Sequence, residues 1–185
     1  AACFSYDAYC GPDDLLSQAV DTAVRSGVVV VVSAGNCGPG GSGWSCFVLG
    51  DRTITSPGVA RKAITAGATD NFNVLAGFSS RGPVPGMSGI LFTKPDLVAP
   101  GVGICAAQWN SSFSTNPCLP NHVSLSGTSM AAPHVSGAAA LLLQKNPTWS
   151  PDEIKEALKK TAVPLPYTPF EAGSGGVNIS AAVSL

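Results

Sequence analysis

At 185 residues the chain can bury one sizeable core, and its length suits one domain or a large part of one. A net charge of −1 with no basic run argues against nucleic acid or an anionic membrane as partner, and apolar runs broken by Ser, Gly and Pro argue against a bilayer span. Hydrophobic content of 45%, charged content of 11%, 21 Gly and 15 Pro describe a turn-rich α/β globule around a buried sheet.

The chain opens without an initiator methionine or a signal-peptide pattern, as in an excised, processed or truncated chain. Residues 1–12 have no clear period and read as a cysteine-bearing loop. Asp13 and Asp14 then lead into Leu15–Ser26, whose apolar residues recur at helical spacing. The acidic pair suits the positive end of the helix dipole, and Gly27 is a natural C-terminal cap. The valine run Val28–Val32 follows at once and predicts a fully buried parallel strand. Helix then buried strand is half of a βαβ unit, and ligands of open α/β sheets sit beyond the carboxyl ends of strands, where Asn36 falls.

Residues 37–58 form a Gly/Ser-rich loop, and Lys62–Thr69 reads as another buried strand. Trp109–Pro120 is a further loop before a strand over Val123–Leu125. Next comes Ser126-Gly127-Thr128-Ser129-Met130-Ala131-Ala132-Pro133-His134-Val135-Ser136-Gly137, running on into Ala138–Lys145. This part reads as a helix, apolar on nearly every face and therefore buried, with Pro133 in its first turn. Ser129 then stands at a helix N-terminus, whose free N–H groups favour developing negative charge. A serine there can equally be an ordinary N-cap. Beyond it, Ser150-Pro151-Asp152-Glu153 predicts a capping box with Pro at the first helical position. The helix it starts, Ile154–Lys160, shows one apolar edge and a charged outer face. No repeat, linker or second domain is visible.

The string Gly127–Gly137 resembles the nucleophile segment of the subtilisin-like serine proteases, the subtilase family of peptidase S8 type. Val28–Asn36 is similar to the family's strand ending in the oxyanion-hole asparagine, and Lys94–Gly101 to the segment preceding the nucleophile region. Order and spacing match across nearly the whole chain. The resemblance implies an α/β fold of three layers, a mostly parallel sheet between helices, incomplete at its N-terminus. On this reading residues 1–185 are the C-terminal part of a subtilase catalytic domain. It implies that Ser129 attacks the scissile carbonyl, that the Asn36 amide and the Ser129 N–H form the oxyanion hole, and that Ser33, Ala34, Gly35, Gly127 and Thr128 line the substrate site. Thr55–Gly58 would shape the pocket for the substrate side chain, Phe78–Pro83 matches a family strand and turn, and Gly173–Val183 resembles the family's terminal turn and short helix. Arg81 also reads as a solvated turn residue.

The family's Asp-(Thr/Ser)-Gly and His-Gly-Thr segments, which carry its catalytic aspartate and histidine, are absent. Of the two histidines, His134 belongs to the nucleophile helix and reads as a satisfied core residue, and His122 as a loop or strand-edge residue. Neither is assigned as general base. The expected function is peptide-bond hydrolysis through an acyl-enzyme, with an N-terminal part supplying histidine and aspartate, a polypeptide as substrate, and room for an inhibitory propeptide. The rival is a catalytically silent scaffold or binding module. No cofactor is required. Asp96 reads as a strand-start or turn residue, or by resemblance as the carboxylate of a structural calcium site completed by carbonyls near Arg61 and Ala63.

The six cysteines show no zinc spacing and cluster locally as Cys3 with Cys10, Cys37 with Cys46, and Cys105 with Cys118. Disulfides in those pairs imply an oxidising, extracellular setting, where the Asn-x-Ser sequons at Asn110 and Asn178 would also matter.

Overall fold

The computed structural model describes residues 11–39, 52–86, 89–108 and 116–185. The cysteine-bearing opening stretch, most of the loop after Cys37 and the sequon at Asn110 lie outside the described residues. Helix α1 (Leu15–Arg25) starts at Asp14, whose side chain accepts from the Ser17 N–H at 2.9 Å. It ends at Ser26, and Gly27 follows at φ +94°, a conformation that only glycine adopts cheaply.

Strand β1 (Val31–Ser33) runs parallel to β2 (Ile64–Thr69), which runs parallel to β5 (Leu97–Pro100). The expected five-valine strand is thus shorter and less buried than its composition suggests: Val28 is 53% exposed, and all of β1 is half-buried. Among the described residues β1 pairs with β2 alone, whereas the other outer strand, β5, is also bridged at Val98 by Gly176. The central strand β2 is buried throughout. Its alternation sends Ile64, Ala66 and Ala68 to one face, where they join Leu97 and Ala99 of β5.

Helix α2 (Thr128–Lys145) packs on that face through Ala131, Val135, Ala138, Ala139 and Leu142, followed by α3 (Pro151–Lys160) and α5 (Ile179–Val183). Alanine against alanine lets the α2 backbone lie close to the sheet. Two expectations fail here. Only one face of α2 is buried; Pro133, Ser136, Gly137, Ala140, Leu141 and Gln144 are exposed, because nothing among the described residues packs there. Pro133 lies in the second turn rather than the first, since the helix already begins at Thr128, so it supplies no N–H to the Ser129 carbonyl.

The capping box of α3 is complete, the Ser150 N–H donating to Glu153 at 2.7 Å and the Glu153 N–H to Ser150 at 3.3 Å. Its charged outer face needs one correction: Lys155 is only 8% exposed and points into the protein. Beyond the sheet, β3 (Val84–Pro85) and β4 (Leu91–Phe92) form a hairpin, so pairing begins just after the expected Phe78–Pro83 strand. Arg81 is tied down by an ion pair to Glu171 at 2.7 Å rather than solvated. An antiparallel sheet of β6 (Ile104–Ala107), β8 (His122–Leu125) and β7 (Pro117–Leu119) delivers the chain to α2. Part of the expected Trp109–Pro120 loop is therefore strand. The Cys105–Cys118 disulfide joins β6 to β7 across β8, as the local pairing anticipates. Cys37 is also disulfide-bonded. Cys3, Cys10 and Cys46, needed for the other two pairings, lie outside the described residues. A short helix α4 (Pro169–Ala172) precedes the final turn, where Gly176 bridges to both Val98 and Val163.

Candidate active site

Ser129 sits at the second position of α2, exposed, after the cap residue Gly127. Among the described residues its backbone N–H has no acceptor and its hydroxyl no hydrogen-bond partner. This is the unsatisfied donor end of a helix, where partial positive charge collects. The turn that presents it is anchored by the Gly127 N–H donating to the Gly101 carbonyl at 2.8 Å. Gly101 can only be glycine: a methyl group there would lie 2.7 Å from the Ala68 side chain and 2.8 Å from the Gly127 carbonyl.

Thr128 fastens this turn to the carboxyl end of β1. It is fully buried, and its N–H and hydroxyl both donate to Asn36 Oδ1, at 2.9 and 3.0 Å. Its hydroxyl in turn accepts from the Gly35 N–H at 3.1 Å. With the amide oxygen engaged twice, the amide nitrogen is the donor end of Asn36. Gly127 lies against that amide; a methyl group on it would be 3.5 Å from Asn36 Nδ2. Asn36 and Ser129 are far apart in sequence, yet one threonine holds both in a single hydrogen-bonded turn.

The remaining expected site residues gather on the same side. Ala34 is fully buried, packing with Ile54, Val59 and Val84, and its N–H donates to Ala66 at 2.9 Å. Gly35 has φ +105°, and its carbonyl accepts from Ser80 at 3.0 Å. The Thr55–Gly58 stretch lies alongside: a methyl group on Gly58 would be 2.9 Å from the Ser33 carbonyl, and one on Gly35 would be 3.4 Å from Thr55 Oγ1. Neither histidine is bonded to Ser129. His134 Nδ1 donates to the Met130 carbonyl at 2.8 Å, and His122 Nδ1 to the Pro120 carbonyl at 2.8 Å. One nitrogen of each ring is anchored on a local carbonyl; His134 is half-buried rather than in the core, and His122 opens β8. No cluster of His, Cys, Asp and Glu among the described residues could hold a metal ion.

The model of the subtilase family matches residues 6–178. The chain belongs to the subtilase family. It is 42% identical over 160 residues to the serine protease AprX of Bacillus subtilis, covering 80% of this chain and 33% of that protein. It is 40% identical over 171 residues to subtilisin Savinase of Lederbergia lenta, covering 92% of this chain and 52% of that protein. Among solved structures, fervidolysin from Fervidobacterium pennivorans, a keratinolytic enzyme related to subtilisin, superposes with a TM-score of 0.68 at 31% identity. That alignment covers 91% of this chain and 24% of fervidolysin. This subtilase chain thus spans about half, or less, of the relatives it matches.

Thr128 was legible only as a substrate-lining residue of the subtilase motif. Its bracing of Asn36 has no local signature, because the bond crosses 92 positions. The second feature sequence reasoning missed lies at Asp96, which is buried with Lys94 and Lys155. Burial by itself would raise the Asp96 carboxyl; the adjoining Lys94 and Lys155 ammonium groups and the Thr65 N–H outweigh it and hold it below its ordinary value. Lys94 is pushed down to about 8, chiefly by burial and against the attraction of Asp96.

Proposed function

We propose that this chain is the nucleophile-bearing part of a serine endopeptidase. The observation that carries the reading is the Asn36–Thr128–Gly35 network, which sets an amide donor beside the exposed Ser129 and its unpaired N–H. In the proposed reaction Ser129 Oγ bonds to the scissile carbonyl carbon while its proton passes to a histidine. The carbonyl oxygen takes the charge and is held by the Asn36 amide and the Ser129 N–H. Collapse breaks the C–N bond, the amine leaves with the histidine's proton, and water then hydrolyses the ester.

The histidine and its orienting aspartate belong on another segment: the Nδ1 bonds of both rings here run to local carbonyls and neither reaches Ser129. Substrate is a polypeptide lying along Ser33–Gly35 and Gly127–Thr128, and an inhibitory propeptide would compete for that groove. The disulfide and the kinship with subtilisins favour an extracellular enzyme. No helix among the described residues is long and apolar enough to cross a membrane.

A fluorophosphonate probe tests the assignment. Alone, the chain is expected to label weakly, because a serine hydroxyl without a base is a poor nucleophile. Joined to a subtilase segment bearing the histidine and aspartate, it is expected to label at Ser129, and Ser129→Ala to abolish labelling. Full proteolysis by the isolated chain would refute the external base. A joined form that folds but never labels would establish the silent scaffold instead.

A further inference from the structure

The oxygens that suggest a calcium site are already occupied by nitrogen. Lys94 Nζ donates to the Ala63 carbonyl at 2.9 Å, Thr65 Oγ1 at 2.8 Å and Asp96 Oδ2 at 2.7 Å. Lys155 Nζ donates to the Arg61 carbonyl at 3.0 Å and the Ala63 carbonyl at 2.8 Å, and pairs with Asp96 Oδ1 at 3.0 Å. The Thr65 N–H completes the set, donating to Asp96 Oδ2 at 2.7 Å. Each ammonium group has three oxygen partners for its three protons, so neither has a donor left over.

A calcium ion does not fit this cluster. It needs six to eight oxygens at about 2.3–2.6 Å, and more than one negative charge is usual among them. Here the oxygens comprise one carboxylate, two carbonyls and a hydroxyl. One carboxylate already faces two ammonium groups, and a divalent ion would add charge to a buried site that is net positive. The side chains are shielded from water as well: Lys94, Asp96 and Lys155 are 3%, 6% and 10% exposed.

We propose that Lys94 and Lys155 are tethered cations that take the place of a structural metal in this chain. They link three separate segments, 61–65, 94–96 and helix α3, as a coordinated ion would, but their effective concentration is fixed by the backbone. Lys155 is the entering group, reaching inward from α3. It lines a crevice of about 410 Å³ whose walls carry both signs of charge, Asp21, Asp152 and Glu156 beside Arg25, Lys62 and Lys159. Removing its charged tip would open the Arg61, Ala63 and Asp96 oxygens to a cation from that crevice. The proposal is independent of whether Ser129 is catalytic.

Two measurements test it. In protein labelled with ¹⁵N-lysine, the Lys94 and Lys155 ammonium protons should exchange slowly and keep their shifts when millimolar calcium is added. Resonances displaced by calcium would overturn the proposal without any variant. Lys155→Met should lower the thermal midpoint by about 5 °C or more, and calcium or potassium should recover part of that loss in the variant while leaving the parent unchanged at this site. A Lys155→Met midpoint equal to the parent's, or a parent midpoint that chelator lowers and Asp96→Asn makes insensitive, would also overturn it.

Discussion

At the scale of single residues, the proposed site depends on a hydroxyl that takes no part in the proposed chemistry. Thr128 Oγ1 donates to Asn36 Oδ1 and accepts from the Gly35 N–H, so it sets the direction of the amide. Thr128→Val keeps the shape and removes both bonds. The expected stability loss is about 1–3 kcal/mol, because the Gly35 N–H is left without its acceptor, and a denaturant midpoint reads it. In the joined, active form the same variant should lower kcat more than it raises KM. Asn36→Ala should cost about 10²–10³ in turnover, the magnitude established for this donor in a subtilisin, with the folded state retained. Ser129 and Asn36 were legible through their resemblance to the family's motifs, since a helix-cap serine or a Gly-Asn turn alone reads as structural. The Thr128 bonds that join the two segments were not, since they depend on how distant stretches of chain meet.

At the scale of elements, caps and helical spacing were the readable signals. Asp14 before α1 and Ser150 before α3 act within a turn of their own helix, so their sequence signatures suffice. The Ser150 hydroxyl and N–H hold Glu153 below its ordinary 4.5. A carboxylate lowered in the folded state adds stability above its unfolded value and gives it up as pH falls through the folded one. Ser150→Ala should therefore lower the thermal midpoint near neutral pH, and the gap from the parent should close as pH drops well below 4.5. A gap that stays constant into acid would show that the carboxylate plays no part in the cap. Lys155 marks where such reading stops. On a helical wheel it borders the apolar arc of Ile154, Ala157 and Leu158, yet its partners are on 61–63 and 96, and only the fold brings them to it.

At the scale of the whole molecule, composition announced a parallel α/β core but not which surfaces that core would cover. Helix α2 is almost uniformly apolar, so sequence cannot tell its packed face from its bare one. In the structure Leu142 is fully buried against the sheet while its neighbour Leu141 is 45% exposed. Leu142→Ala should destabilise by about 2–5 kcal/mol, whereas Leu141→Ala should fall within about 0.5 kcal/mol. Equal losses would mean that both faces are packed.

The 92-position span between Asn36 and Thr128 also sets an order of events. Strands β1, β2 and β5 must all be in register before the end of β1 meets the start of α2, and contacts so distant along the chain form late. The braced Asn36 amide is thus a product of finished folding. A nascent or partly unfolded chain carries the serine but not the braced amide beside it.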